Sequence, residues 1–264
     1  MTVRLDEMTW PEVKELLTKP HAVILPIGST EEHGAHLPIN VDSATGTYIA
    51  EGAAKKVLNE HGINVVVAPT IDYTDIAPHK MFPGTIGVKL DTLMKMLVDI
   101  IEALLDQGFK NIFALSAHLE NNSPLEVAVR MIKDKRPEAN IFAVTSVHGL
   151  GFDVHKTAVK AGVAGMGHAL EIETSHSLVI QPQNVHLERT IKGYRRLPIS
   201  TRYIGPTGQD KTKGVLYCSG VEESEESGTS GDPTMASKEE GEKLLSAVIS
   251  DLADIIVQVV KPKI

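Results

Sequence analysis

One cysteine, Cys218, stands in a chain of 264 residues, so no intrachain disulfide can form and nothing points to an oxidising compartment. Basic charge is in deficit. Lys and Arg total 26 against 34 Asp and Glu, giving a formal net charge of -8 and an isoelectric point near 5.8. A nucleic-acid partner wants a basic face, so none is expected. Long apolar runs are missing too. The longest candidate, LLSAVISDLADIIVQVV, is cut by Asp251 and Asp254, and no bilayer span is expected. The opening MTVRLDEMTWPEVKEL lacks the basic end and apolar run of a signal peptide, which makes a cytoplasmic location the expectation. The hydrophobic share is 42%, enough for a sizeable core. The length suits one large α/β domain, 1–264, at least as well as two small ones.

Short apolar runs alternate with amphipathic stretches. Strands are expected at 22–27, 64–68, 111–115 and 140–147. A helix is expected over 42–58, with Asp42 or Ser43 as its cap. Another falls at 91–107, where Leu93, Met96, Leu97, Ile100, Ile101, Leu104 and Leu105 keep helical spacing and Gly108 supplies a stop. Met94 and Met96 read as packing positions. The next helix opens on Ser123, Pro124 and Glu126. The last has Ser237 and Glu240 as a capping box and one apolar face from Leu244 to Val259. Strands alternating with helices predict a three-layer α/β/α fold around a mostly parallel sheet. The acidic stretch VEESEESGTSGDP, 221–233, reads as a solvated loop that could fold over a neighbour or a site.

Three stretches carry chemistry. The first, PIGSTEEHGAHLPINVD, follows the first strand, and loops at the carboxyl ends of parallel strands form the ligand crevice. Glu31, His33, His36 and Asp42 supply the carboxylate and imidazole donors that suit zinc, manganese or iron. In an extended segment, Glu31 and His33 point the same way, and the two oxygens of Asp42 suit a bridge between ions. Alone, this segment fits a metal site and a polar loop with chance donors about equally. The second stretch, SAHLENNSP, also follows a strand, so His118 and Glu120 should emerge at the same sheet edge. That agreement favours a two-metal site. The third, GHALEIETSHS, holds His168, Glu171 and Glu173; by itself it is better explained as an amphipathic helix with exposed acids.

Taken together, these motifs resemble the creatininase (creatinine amidohydrolase) family. GSTEEHGAHLP with Asp42 is similar to the family's first motif, with Glu32 where Gln is usual. Ser116-Ala117-His118-Leu119-Glu120-Asn121 stands in the place of N-G-H-x-x-N. FPGT occurs at 82–85, the third motif at 168–175 with Leu170 for Gly, and GDP at 231–233. Their order covers nearly the whole chain.

The resemblance implies a metal-dependent hydrolase holding two divalent ions (zinc, manganese or iron). Glu31, Asp42 and His118 would hold one ion. His33 and Asp42 would hold the other, completed by Glu120 or Glu171. His168 matches the family's proton-shuttling histidine, and Glu173 would position it or the neighbouring ligands. His79 matches a family histidine near the site, and Ile76 sits where many relatives have a small polar residue. The implied chemistry is metal-activated hydroxide attacking a carbonyl of a small, cyclic amide, with His168 protonating the leaving atom. A homo-oligomer is also implied, often a hexamer. Because the only tryptophan is Trp10, far in sequence from these motifs, creatinine itself is not the expected substrate. Two alternatives stand beside the amide reading. One is ring-opening carbon–carbon hydrolysis of a keto-inositol of the 3-dehydro-scyllo-inosose type; the other is a metal- or sugar-binding protein without turnover. His148, His155 and His176, with the basic cluster of Arg195, Arg196 and Arg202, are weaker candidates for lining the pocket or gripping an anion. His21, His61 and His186 read as structural or exposed.

Overall fold

The structure, a computed structural model, describes residues 2–145, 147, 149–160, 167–193, 200, 202, 215 and 227–261. Cys218, Ser146, His148, Arg195, Arg196 and residues 221–226 of the acidic stretch lie outside the described residues. In chain order the elements are α1 (Trp10–Leu16), β1 (His21–Ile27), α2 (Val41–His61), β2 (Asn64–Val67) and α3 (Leu90–Asp106). They continue with β3 (Asn111–Ser116), α4 (Asn122–Lys135), β4 (Asn140–Val144), α5 (Phe152–Ala158), α6 (Glu171–Ile180) and α7 (Lys238–Val260). The strands form one parallel sheet in the order β2-β1-β3-β4.

Every residue of β1 is buried, because helices cover both faces of the sheet. Alternate side chains go to opposite faces. Ala22 and Ile24 join Phe113 and Leu115 against α2 and α7, where Ala50, Ala53 and Ala54 of α2 pack among Leu245, Val248, Leu252 and Ile256 of α7. Val23, Leu25 and Ile27 face the other way, onto Leu93, Leu97 and Ile101 of α3 and Leu125, Ala128 and Ile132 of α4. The partly buried Met94 and Met96 pack on that second layer. Fully buried aliphatic positions of this kind cost about 2–5 kcal/mol when truncated to alanine.

Helix starts depart from expectation, and each departure has a cause. α2 begins at Val41, so Asp42 and Ser43 lie inside its first turn instead of capping it. Their side chains turn to the β1 loop: Asp42 accepts from Ser29 Oγ at 2.7 Å and Ser43 Oγ donates to the Ser29 carbonyl at 2.9 Å. α4 begins at Asn122, before Ser123, and the amide of the preceding Asn121 donates to the Gly28 carbonyl at 2.8 Å. Only half of the capping box of α7 forms. Glu240 N–H donates to Ser237 Oγ at 3.2 Å, while the Glu240 carboxylate turns to Ser175 Oγ. β4 ends at Val144 instead of continuing to 147.

Candidate metal centre

The loop after β1 is tied down before it delivers any donor. A Cβ on Gly28 would lie 2.5 Å from the Ser43 backbone, so the chain passes directly beneath the start of α2. The Gly28 carbonyl accepts from Thr74 Oγ1 and from Asn121 Nδ2, each at 2.8 Å. The loop therefore joins the segment after β2 to the start of α4. Glu31 and His33 point inward from this frame, while Thr30 Oγ1 donates outward to the Asp72 carbonyl at 3.0 Å. The alternation is that of an extended segment.

Two groups of donors form around Asp42. His118 Nδ1 lies 3.1 Å from Asp42 Oδ2 and 3.2 Å from Glu31 Oε1. His33 Nε2 lies 3.4 Å from Asp42 Oδ1 and 3.8 Å from Glu173 Oε2. Within each trio the donor atoms all fall within 4.8 Å of one another, so each could hold a cation. Asp42 thus offers one oxygen to each trio. Backbone carbonyls orient both imidazoles. His33 Nδ1–H donates to Glu31 O at 3.1 Å, and His118 Nε2–H donates to Asp75 O at 2.9 Å, leaving the opposite nitrogen of each ring facing the carboxylates.

Charge in this centre is dense and buried. Glu31, His33, Asp42 and His118 are each no more than 6% exposed. Among the described residues, neither oxygen of Glu31 accepts a hydrogen bond, and His33 Nε2 makes none. Burial opposes ionisation of Asp42, but His33 and His118 outweigh it and hold the carboxyl well below its usual range. Glu31 is likewise pushed up by burial and pulled back further by His118, ending below its ordinary value. Burial works against a proton on His33, yet Asp42, Glu173 and Glu31 raise it to about 10. His118 is raised well above its ordinary value, with Glu31 and Glu120 outweighing burial. Burial lifts the Glu173 carboxyl to about 7, with Asp42 adding to it and His33 opposing. Converging carboxylates and imidazoles with unbonded buried atoms are the donor set that divalent cations satisfy, and the residues present fit such ions.

The expected residues separate into two sets. Glu31, His33, Asp42 and His118 come together, and the carboxylate that joins His33 and Asp42 is Glu173. Glu120 and Glu171 lie elsewhere. Glu120 Oε2 sits 3.2 Å from His118 Nε2, on the side of the ring away from Asp42. Glu171 Oε1 accepts from Lys160 N–H at 2.9 Å and its carboxylate meets Glu240. The physical reason is helical: two residues apart is about 200° of rotation, so Glu171 and Glu173 face opposite ways on α6. Ile76 precedes a short turn of 3-10 helix at Ala77–His79 and packs where Gly87 leaves no room for a Cβ, 2.3 Å from Ile76 Cγ1.

His168 stands beside both trios. Its Nδ1 is 3.6 Å from Glu31 Oε1, and its ring centroid is 4.4 Å from that of His33. His79 stacks on it at 3.8 Å. Burial, with the charges of His79 and His33, holds His168 below the ordinary histidine value. Ala169, next in the chain, has φ 56, a strained left-handed conformation, and its N–H donates to Glu173 Oε2 at 2.6 Å. The described end of the acidic stretch covers this corner. Ser230 N–H and Oγ–H both donate to the His168 carbonyl at 3.1 Å. Sequence reasoning left two contributors unassigned, Glu32 and the Asp75 carbonyl, while residues 227–230 belong to the stretch read as a solvated loop that could fold over a site. Only Glu32 carried a signal, as an acid at a Gln position.

Other histidines sit apart from the centre. His155 Nδ1–H donates to the carbonyl of Gly151, just ahead of α5, and His176 is buried in α6 without joining a ligand trio among the described residues. His36 is buried beside Thr174 Oγ1 at 2.9 Å. Arg202 is exposed.

A parallel α/β protein with a histidine–carboxylate cluster at the carboxyl ends of its strands is a recognisable class, and comparison with known proteins narrows it. A family model described as creatinine amidohydrolase matches residues 6–256, and the chain belongs to the creatininase family of hydrolases. It is 28% identical over 238 residues to the mycofactocin precursor peptide peptidase of Mycolicibacterium smegmatis, covering 89% of this chain and 83% of that one. It is 27% identical to the 3-dehydro-scyllo-inosose hydrolase of Thermotoga maritima over 272 residues, 96% of this chain and 82% of that one. A solved structure described as creatininase with Mn superposes with a TM-score of 0.82 at 23% identity, covering 99% of this chain and all of that one, and supports the fold.

Proposed function

We propose that the chain is a two-metal amide hydrolase. The carrying observation is Asp42, whose two oxygens face separate donor trios: Glu31 with His118 on one side, His33 with Glu173 on the other. Creatininases described with manganese and with zinc support those two cations as occupants. When bound, divalent cations there polarise a carbonyl oxygen and acidify water. Asp42 keeps the two positions adjacent. His33 and His118, each oriented by a backbone carbonyl, turn one ring nitrogen to the centre, which offers a lone pair once its proton has left. His168 sits within reach of both positions and moves the proton between water and the departing nitrogen. The peptidase and creatinine amidohydrolase relatives, the latter from Pseudomonas putida at 25% identity, favour an amide substrate. The chain is read as a single hydrolase domain that assembles into homo-oligomers.

Purified protein loaded with zinc or manganese is assayed against cyclic amides, formamides and short peptides. The expectation is turnover that chelation abolishes and that His168→Ala lowers by about 100-fold or more. Turnover that survives chelation, or is unaffected by that substitution, defeats the proposal. Ring opening of a keto-inositol is the second reading, favoured by the inosose hydrolase relative, which matches 96% of this chain. Both need the same electrophilic carbonyl, so the ligands do not decide between them, and including keto-inositols in the assay does.

A further inference from the structure

Glu32 alternates with the inward-facing Glu31 and His33, yet it is only 6% exposed. It does not belong to either trio around Asp42. Its Oε1 accepts from His168 Nε2–H at 3.0 Å, and its Oε2 accepts from Gly34 N–H at 2.8 Å. Its own N–H donates to Thr85 Oγ1 at 2.9 Å. On the remaining side is Gly228, where a Cβ would lie only 2.1 Å from Glu32 Oε2 and where φ is +65. The carboxylate is thus held between the Gly34 N–H, the His168 ring and the backbone of Gly228. His79 Nδ1 lies 2.8 Å from Oε1, but off the line of a hydrogen bond.

We propose that Glu32 is a positioning residue that fixes the proton of His168 on Nε2, so that Nδ1 meets the reacting groups as an acceptor. Distances decide which nitrogen carries the proton. Nε2 is 3.0 Å from Glu32 Oε1, within hydrogen-bonding range, whereas Nδ1 is 3.6 Å from Glu31 Oε1, beyond it. An ionised carboxylate only accepts, so the proton between Glu32 and His168 belongs to the ring. The inference rests on His168 as the proton-transfer group and adds the order of transfer. Nδ1 first takes a proton as an O–H bond of water breaks and the oxygen joins the carbonyl carbon. It then gives that proton to the nitrogen as the C–N bond breaks. Nε2–H stays with Glu32 throughout, which stabilises the transient imidazolium as a buried carboxylate does in a catalytic triad.

Within this chain's frame, where Gly34 N–H already takes one oxygen, the amide usual at this place in the family cannot do the same. Gly34 N–H and His168 Nε2–H both need an acceptor, and glutamine has one oxygen. With that oxygen held by the fixed backbone donor, the amide NH2 faces His168 and moves its proton to Nδ1. The test is 15N nuclear magnetic resonance of the histidine rings in the full chain, with and without added zinc, the His168 signals being assigned by their loss in His168→Ala. In the wild type, Nε2 is expected to bear the proton and Nδ1 to be unprotonated above neutral pH. In Glu32→Gln, the proton is expected on Nδ1, with kcat falling on the order of 100-fold and KM little changed. A wild-type His168 protonated on Nδ1 overturns the proposal, and that result needs neither a variant nor a substrate. So does a Glu32→Gln protein still protonated on Nε2. A third zinc equivalent that strips Nε2 of its proton would make Glu32 a cation ligand and overturn it equally. Failure here leaves the turnover test of His168 untouched, so the two readings stand or fall separately.

Discussion

Glu171 and Glu173 lie two positions apart on α6 and enter opposite environments. Glu173 faces His33 and Asp42, where imidazoles and carboxylates converge with unbonded oxygens and nitrogens. Glu171 faces Glu240 of α7, together with the Lys160 backbone and near Ser175, where acid meets acid. Burial, then the hydrogen bond and charge of Glu171, raise the Glu240 carboxyl to about 7. One buried acidic cluster has the donor set that could hold cations, while in the other acid meets acid without an imidazole between them. What separates them is neither carboxylate count nor depth, but whether imidazole nitrogens converge with the carboxylates.

The comparison can be broken at several points. Asp42→Ala should have the largest effect, removing the shared ligand and weakening both cations by more than about 100-fold, beyond the usual cost of changing an outer partner. Metal analysis after dialysis measures it, and retention of both ions would refute the shared role. Glu173→Gln should lose one cation while Glu171→Gln keeps both; equal losses would mean the two faces of α6 are not distinct. Gly241→Ala should separate α6 from α7, because a Cβ there would lie 2.1 Å from the Ser175 carbonyl. It is expected to cost about 1–3 kcal/mol in denaturant unfolding, with the metal ligands themselves unaltered.

Acidity sharpens the contrast further. His33, held at about 10, and His118, held well above its ordinary value, must lose their protons to bind a cation. Cation affinity should therefore rise with pH, with about two protons released per chain near pH 7, as calorimetry in buffers of different ionisation enthalpy would show. The smallest effect is expected at Glu240. Its folded value lies above the unfolded 4.5, so its contribution is full below about 4.5 and is lost as pH rises through about 7. Glu240→Gln should accordingly raise the melting temperature at pH 8 and leave it nearly unchanged at pH 4.5.

The sheet was legible because its strands are unbroken apolar runs: HAVILPI is buried throughout, as the composition of 22–27 predicts. Helix ends were less so. Asp42, Ser43 and Asn121 have the chemistry of caps but are drawn to loop partners distant in sequence, and short-range rules do not see such partners. Glu31, His33, Asp42 and His118 could be grouped because two strand-end loops must share one edge. Glu171 and Glu173 could not be told apart without helical phase: once α6 begins at Glu171, the acid that faces His33 and Asp42 is Glu173. The partner of His168 was hidden because Glu32 becomes visible only when residues 136 positions apart are brought together.

The segment between β2 and α3 fastens the centre from beneath. It gives the Asp75 carbonyl to His118 and the Thr85 hydroxyl to Glu32 N–H, while Tyr73 and Met81 stay 54% and 52% exposed. Substitutions at those two exposed positions would leave the fastenings beneath them, and with them the arrangement of His118 and Glu32, in place.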